Sequence, residues 1–124
     1  MKQEKSANRT KGEIGERLAL DYLLERGYQL VTKNWKDEKY ELDLVVTKNN
    51  YIIFVEVKLR YSRVYGEPWE AVNKAKRRKI CIGADAYIRK MDISLEPRFD
   101  IVSIIQGNGK TEILHLEDAF YPMV

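Results

Sequence analysis

The chain has one cysteine, one histidine and no long apolar segment. Cys81 alone cannot form an internal disulfide, and His115 has no second histidine at metal-ligand spacing, so neither a disulfide scaffold nor a zinc site is indicated. The longest uninterrupted apolar run, residues 51–55, is far shorter than the ~20 residues that cross a bilayer. These features argue against a disulfide-rich secreted protein and against a membrane-spanning one.

Charged residues, by contrast, are abundant. They make up 33% of the 124 residues, beside 44% apolar residues, which is typical of a single globular domain with a buried core. Residues 1–16 are polar and charged, so we expect no secretory signal and a cytoplasmic location. The net charge of +3 permits nucleic-acid binding without requiring it. We expect residues 1–11 to form a flexible basic arm and residues 12–124 to form one domain.

Periodicity and turn residues predict an α/β fold with the order helix, three strands, helix, two strands. The residues favour helices at 12–26 and 68–90 and strands at 28–32, 41–46, 51–58, 99–105 and 111–116. Pro68 suits the first turn of the second helix, which Gly83 could interrupt. This order predicts one mixed α/β layer system.

The second and third predicted strands form a hairpin whose register decides where two acids lie. Residues 49–50 are both asparagine, which tolerates positive φ and suits a two-residue turn. With that turn, Lys48 pairs with Tyr51, and Asp43 lies directly opposite Glu56. A bulge would instead shift the register by one residue and move Asp43 to the other face of the sheet.

In that register four charged side chains share one patch of the sheet. Side chains two residues apart point to the same face, so Glu41 and Lys58 lie beside Asp43 and Glu56. Two acids with Cβ atoms about 4.5–5.5 Å apart repel unless a cation or a proton neutralises one of them. A divalent metal would do so. The alternative is an ordinary surface ion pair between Glu41 and Lys58, with the two acids facing solvent. The apolar neighbours imply that the other face is packed; they are Leu42, Leu44, Val46, Val55 and Val57.

A further acid lies on the apolar stripe of the first predicted helix. Glu16 shares that stripe with Ala19, Leu20 and Leu23, so it is expected to point inward. An inward carboxylate costs several kcal/mol unless it is paired, hydrogen-bonded or protonated. The alternative is that Glu16, like Glu13, is a first-turn acid favoured by the helix dipole.

Taken together, these motifs resemble those of the YraN family of small bacterial proteins. Each motif is weak alone, but their order and spacing are specific. The motifs are 12–16 (GEIGE), Ala19, 27–28 (GY), Asn34, 41–44 (ELDL), 54–60 (FVEVKLR), Gly66, Pro68, Lys76 and 98–100 (RFD). Two positions depart from the family pattern, Tyr40 where glycine is usual and Lys36 where arginine is common.

The resemblance implies a restriction-endonuclease-like core of the PD-(D/E)XK superfamily, related to archaeal Holliday junction resolvases, with a mixed central sheet flanked by helices. It also implies roles for matching residues. Asp43 matches the second-strand acid, Glu56 and Lys58 match the Glu-x-Lys motif, Glu16 matches the first-helix acid, and Lys76 matches the second-helix polar residue. Branched substrates and a symmetric homodimer are implied as well, since two strands must be cut.

We therefore expect a metal-dependent endonuclease that acts on structured or branched DNA. Glu16, Asp43, Glu56 and Lys58 would be catalytic, and Asp43, Glu56 and the Val57 carbonyl would bind Mg²⁺ or Mn²⁺. Basic residues near the site would bind nucleic acid; they are Arg60, Arg63, Lys74, Lys76, Arg77, Arg78 and Lys79. Two alternatives stay open, a non-catalytic nucleic-acid-binding or protein-interaction module on the same fold, and RNA in place of DNA.

Overall fold

The computed structural model describes residues 10–122, which form two helices, five strands and a short 3₁₀ helix. The α/β class and the predicted order of elements are confirmed. The helices are α1 (Lys11–Glu25) and α2 (Lys74–Met91), and the 3₁₀ helix Pro68–Ala71 precedes α2. The strands are β1 (Gln29–Lys36), β2 (Glu41–Lys48), β3 (Tyr51–Arg60), β4 (Glu96–Gly107) and β5 (Lys110–Phe120).

All five strands form one sheet in the order of the chain, β1-β2-β3-β4-β5. Neighbouring strands are antiparallel except β3 and β4, which are parallel. A parallel pair needs a long crossover, and the 3₁₀ helix and α2 supply it. The sheet is therefore mixed, and its parallel pair contains the strand that carries Glu56.

The central strands β2, β3 and β4 are buried on both faces of the sheet, whereas the edge strands β1 and β5 are mostly exposed. On one face α1 packs Ala19 and Leu23 against Leu44, Val46 and Val55. On the other face α2 packs its own apolar residues against β2 and β3, in a cluster that includes Ile80, Ala84, Tyr87, Leu42, Val45, Ile52 and Phe54. The expected packing of one face is confirmed for Leu44, Val46, Val55 and Val57, whereas Leu42 packs on the other face. The face that carries the predicted charges is also covered along most of its length, because α2 returns across it.

The hairpin between β2 and β3 has the predicted register. Lys48 pairs with Tyr51, and the ladder continues in the same register to the pair Leu44 and Val55. Asn49 has a φ of +56°, the left-handed conformation that asparagine tolerates. The predicted register is thus confirmed as far as Leu44 and Val55, and Asp43 lies one residue beyond the end of this ladder.

The boundaries of several elements differ from those predicted, among them those of β1 and of the second helix. β1 runs to Lys36 rather than ending at residue 32, because its pairing with β2 continues to Glu41 past an irregularity between Leu30 and Thr32. The second helical stretch is interrupted before Asn73, whose side chain accepts a hydrogen bond from the Lys76 N–H and begins α2. The interruption expected at Gly83 is absent.

Gly83 instead lies in the middle of α2, where it allows a close contact. A Cβ at this position would lie 3.0 Å from Tyr40 Cβ and 3.6 Å from Leu42 Cδ2. The missing side chain therefore lets α2 approach the start of β2, and the glycine serves packing rather than breaking the helix.

The expected basic arm at residues 1–11 lies almost wholly outside the described residues. Of the two that are described, Thr10 caps α1 and Lys11 begins it. Within residues 10–122, neither helix has the length and apolar composition needed to cross a membrane.

Candidate functional site

Asp43 lies where β2 and β3 separate. The ladder between these strands ends at Leu44 and Val55, and Asp43 Oδ2 then accepts a hydrogen bond from the Val57 N–H at 2.9 Å. The Asp43 carboxylate thus accepts a hydrogen bond at the point where the backbone ladder between β2 and β3 has ended. This hydrogen bond fixes Asp43 beside the residue that follows Glu56.

The alternation of β2 is interrupted at the same point. Leu44 and Val46 pack on the α1 side of the sheet, whereas Val45 packs on the α2 side. Regular alternation would place Leu42 with Leu44, but Leu42 packs on the α2 side. The strand therefore turns at Asp43, which explains why its carboxylate reaches groups that belong to both faces of the sheet.

Glu56 is a buried acid with two lysines close to one of its oxygens. It is 3% exposed, and Lys76 Nζ and Lys58 Nζ lie 3.6 Å and 3.8 Å from its Oε2. Burial, followed by the negative charge of Asp43, raises the pKa of Glu56 to about 8, although the two lysines act in the opposite direction. At neutral pH this site therefore tends to hold a proton or a cation.

Glu16 approaches the same point from α1, on the other side of the sheet. Burial raises its pKa, a hydrogen bond with the Asn34 side chain lowers it, and the charge of Asp43 raises it again. Asp43 thus acts electrostatically on both Glu16 and Glu56. The buried stripe of α1 is Gly15, Ala19 and Leu23, so Glu16 is half-buried at its edge rather than pointing fully inward.

Gly15 determines how closely α1 lies on β3. A Cβ at this position would lie 3.2 Å from Leu59 Cβ and 3.4 Å from Val57 Cγ1. The bare backbone of Gly15 therefore brings Glu16 near the strand that carries Glu56. Capping at the start of α1 is performed by Thr10 and Glu13, which form a reciprocal capping box. The capping role considered for Glu16 is thus taken by Glu13.

Glu41 and Lys58 do not form the surface ion pair that was the alternative to a metal site. Glu41 is exposed and pairs with Lys36 across β1 and β2. In the part of the chain that the structure describes, Lys58 is within ion-pair distance of Glu56 and not of Glu41. This alternative is not realised because the ladder between β2 and β3 ends at Leu44 and Val55 and does not extend to Glu41.

The candidate site offers only a few oxygen ligands to a hard divalent cation. Among residues 10–122, no group of three or more histidine, cysteine, aspartate or glutamate side chains is arranged to hold a metal. Two carboxylates next to each other, one with a raised pKa, are nevertheless the oxygen ligands that Mg²⁺ and Mn²⁺ prefer, and Mg²⁺ commonly keeps several waters. The residues therefore fit a largely hydrated ion.

The basic residues of α2 divide into inward and outward groups. Lys76 points to Glu56, and Arg77 donates from Nε to the Val72 carbonyl at 2.8 Å, with its guanidinium 5.5 Å from the Phe120 ring centroid. Three more basic residues in its first half are exposed; they are Lys74, Arg78 and Lys79. Arg89 and Lys90 are also exposed but lie in the last turn, where Arg89 pairs with Asp85 at 3.1 Å. At the start of α2, next to the candidate site, the outward group offers charge to a ligand.

The two arginines after β3 also differ from each other. Arg63 is held by two carboxylates, Glu67 Oε2 at 2.7 Å from its Nε and Glu112 Oε1 at 2.6 Å from its Nη2. Arg60, the last residue of β3, is half-buried. The charge of Arg63 is therefore largely neutralised, which reduces what it offers to a phosphate backbone.

Sequence reasoning assigned no role at the site to two nearby residues, although Asn34 is among the motif residues of the family. Asn34 lies within β1, in the register position opposite Asp43, and has a φ of +53°. An asparagine between Lys33 and Trp35 in a strand is the available signal for it. Ser103 pairs with Lys58 across the parallel ladder, and its Oγ accepts a hydrogen bond from the Trp69 N–H at 3.0 Å. Nothing in the sequence distinguishes this serine.

The sequence model described as "Uncharacterised protein family UPF0102" matches residues 15–104. The chain belongs to this family. Its relatives match it over most of their length. A UPF0102 protein of Bacteroides thetaiotaomicron is 40% identical over 111 residues, which are 90% of this chain and 92% of the relative. One from Parabacteroides distasonis is 43% identical over 110 residues, which are 89% and 91%. One from Alkaliphilus metalliredigens is 41% identical over 110 residues, which are 88% and 96%. The assignment to the YraN family is thereby confirmed.

Proposed function

We propose that this UPF0102 protein is a metal-dependent endonuclease that hydrolyses phosphodiester bonds in structured or branched DNA. The observation that carries the proposal is the buried Glu56, whose pKa of about 8 reflects its burial and its contact with Asp43. Burying two adjacent acids lowers the stability of the fold. Such a pair is therefore typical of a functional site rather than of a stabilising contact. A divalent cation would remove that repulsion.

Each member of the site has a role in this proposal. Asp43, Glu56 and the Val57 carbonyl would hold Mg²⁺ or Mn²⁺, which when bound would neutralise phosphate charge and acidify a water molecule. Lys58, 3.8 Å from Glu56 Oε2, would orient the attacking water or stabilise the phosphate. Glu16 would act on the Asp43 side through a water molecule. Lys76 would position the Glu56 carboxylate.

The charge of α2 supports nucleic acid as the partner. Its first turn carries no acid, and five of its seven basic residues lie within its first six residues, at the end where the helix dipole is already positive. This arrangement opposes helix stability and favours an anion. The exposed Lys74, Arg78 and Lys79 would contact the phosphate backbone, so affinity should fall steeply with added salt. A homodimer, which cleavage of two strands requires, and a cytoplasmic location belong to the same proposal.

A second candidate is a nucleic-acid-binding or protein-interaction module on this fold that does not cut. One observation favours it: Lys58 and Lys76 already lie close to Glu56, so part of its charge is offset without a metal. RNA in place of DNA is compatible with the same residues.

The experiment that tests the proposal is a cleavage assay. The wild-type protein is incubated with Mn²⁺ and labelled duplex, single-stranded, flap and four-way DNA, together with RNA. We expect cleavage of structured DNA, its loss in Glu56→Ala, and its retention in Glu96→Gln, because Glu96 is an exposed carboxylate at the start of β4. Equal activity of wild type and Glu56→Ala would remove the proposed site. Binding without cleavage would favour the non-catalytic module.

A further inference from the structure

A groove lies next to the candidate site, between the first turn of α1 and the end of β3. Its volume is about 390 Å³, and its lining contains three cations, Lys11, Lys58 and Arg60, and no acid. Gly12 and Gly15 also line it, so the start of α1 borders the groove without side chains. Lys58 lines the groove and also lies 3.8 Å from Glu56 Oε2, so the groove borders the site around Glu56.

A loop of exposed apolar side chains begins and ends at this groove. Residues 61–67 connect Arg60 to the 3₁₀ helix Pro68–Ala71, and both Arg60 and Ala71 line the groove. The side chains of this loop are unusually open, with Tyr61 53%, Val64 75% and Tyr65 87% exposed. Lys11 Nζ lies 5.5 Å from the Tyr61 ring centroid, so an aromatic face and a groove cation are neighbours.

The loop is nevertheless fixed at several points. Arg63 bridges Glu67 within the loop and Glu112 on β5, and the Gly66 N–H donates to the Arg63 carbonyl at 2.9 Å. Gly66 has a φ of +101°, which a side chain would strain. Packing does not explain why apolar side chains are exposed on a loop that is held this firmly. A binding role does, because a loop that is already ordered loses less conformational entropy when it binds a ligand.

We propose that the groove and the loop bind a single strand of nucleic acid that leads into the candidate site. Its backbone lies along Lys11, Lys58 and Arg60, and its bases stack on Tyr61 and Tyr65. A cationic groove bordered by aromatic faces is the combination that binds single strands. Base faces in a duplex are stacked on one another and are not free to stack on tyrosine. The inference rests on the proposed function and specifies its substrate as one with an unpaired arm beside the cleavage point.

The test measures binding in EDTA, by fluorescence anisotropy, so that no cleavage occurs. The probes are a short labelled single strand and the corresponding blunt duplex. We expect Tyr65→Ala to weaken binding of the single strand by about 5- to 100-fold, since stacking contributes about 1–3 kcal/mol per base, and to change duplex affinity less than about twofold. Tyr65→Phe should retain the affinity because it keeps the ring. Tyr121→Ala, which removes a tyrosine that is 71% exposed after β5, should also retain it.

A matched pair tests the groove cations. Lys11→Ala should weaken binding of the single strand, and Lys90→Ala, which alters the last turn of α2, should not. Unchanged affinity in both Tyr65→Ala and Lys11→Ala, or equal losses for single strand and duplex, would overturn the inference. Cleavage measured separately with Mn²⁺ distinguishes the two proposals. If Tyr65→Ala cleaves a substrate with an unpaired arm as well as wild type does, the nuclease is retained and the strand path is rejected. If the single strand binds as expected but no substrate is cleaved, the strand path is retained and the nuclease is rejected.

Discussion

Lys76 Nζ lies 3.6 Å from Glu56 Oε2, so a lysine in the first turn of α2 reaches a glutamate that is almost fully buried on β3. A cation in the first turn of a helix is unfavourable by about 0.3–1 kcal/mol because the helix dipole is positive there. The contact with Glu56 accounts for its presence. Lys76 therefore links the position of α2 to the charge of the candidate site.

The first prediction concerns the charge of Lys76. Lys76→Met removes the nearer of the two cations that lower the pKa of Glu56, so that pKa should rise further. We expect the acidic limb of the pH profile of cleavage to move to higher pH by on the order of one unit, and Lys76→Arg to restore it. Lys79→Met, an exposed change on the same helix, is the control. Superimposable pH profiles for Lys76→Met and wild type would show that Lys76 does not affect the ionisation of Glu56.

The second prediction concerns metal binding. Because Glu56 has a pKa of about 8, an entering cation must displace its proton. We expect Mn²⁺ affinity to rise with pH up to about 8 and binding to release a proton, which isothermal titration calorimetry in buffers of different ionisation enthalpy detects. Asp43→Asn should weaken Mn²⁺ binding about tenfold or more, since removing a metal-bound carboxylate removes charge and a ligand. Equal affinity in wild type and Asp43→Asn would exclude a metal at this position.

The third prediction concerns the stability cost of Glu56. Its folded-state pKa of about 8 lies above the ordinary value of 4.5, so between these values the folded protein keeps a proton that the unfolded chain releases. The free energy of unfolding should therefore decrease as the pH rises from about 4.5 to about 8. Glutamine cannot ionise, and Lys58 and Lys76 are exposed enough to lose this partner at little cost.

Glu56→Gln should consequently be more stable than wild type above about pH 8, on the order of 2 kcal/mol, and nearly equal to it near pH 5. Urea denaturation at both pH values, with Glu96→Gln as an exposed control, measures the difference. If Glu56→Gln is instead less stable than wild type at the higher pH, the ionised Glu56 carboxylate does not destabilise the folded protein.

The hairpin could be predicted from the sequence because its determinants are local. Asparagines at positions 49 and 50 favour the turn, and the alternating residues on either side fix the register through Leu44 and Val55. The candidate pair Asp43 and Glu56 follows directly from that register. Identification of Glu16 depended on the resemblance to the YraN family, because its helical position alone suits a first-turn acid equally well.

Other features depend on tertiary packing and leave no periodic signal. Asn34 adopts a positive φ inside β1, where strand periodicity predicts extended backbone. The turn of β2 at Asp43 is caused by the separation of two strands and by the approach of α2 to Leu42. The division of the basic run, with Lys76 pointing inward and Arg78 outward, depends on how α2 lies on the sheet.

Asp100 and His115 form a buried pair on β4 and β5, away from the candidate site. His115 Nε2 lies 2.7 Å from Asp100 Oδ2, and Arg98 donates to both oxygens of Asp100, at 2.9 Å from Nε and 2.7 Å from Nη2. Burial raises the pKa of Asp100, but the hydrogen bonds from His115, Arg98 and the Asp118 N–H outweigh it and leave that pKa below its ordinary value. The carboxylate of Asp100 therefore stabilises the folded state.

The last prediction is that this pair supports the fold and not the chemistry. Asp100→Asn should lower the free energy of unfolding at neutral pH by about 3 kcal/mol, because it removes the buried charge partner of Arg98 and leaves only the exposed Glu117, 3.7 Å away. Since the folded-state pKa of Asp100 is depressed, its contribution is present above the ordinary value of 3.8 and is lost as the pH falls through the folded-state pKa. The difference in free energy of unfolding between wild type and Asp100→Asn should therefore become smaller in strong acid.

Urea denaturation across this pH range measures the effect, and Asp85→Asn is the matched control, because Asp85 forms an exposed ion pair with Arg89. Mn²⁺ affinity of folded Asp100→Asn should match that of wild type, since Asp43, Glu56 and Lys58 are unchanged. A loss of Mn²⁺ affinity as large as that in Asp43→Asn would instead place Asp100 within the functional machinery.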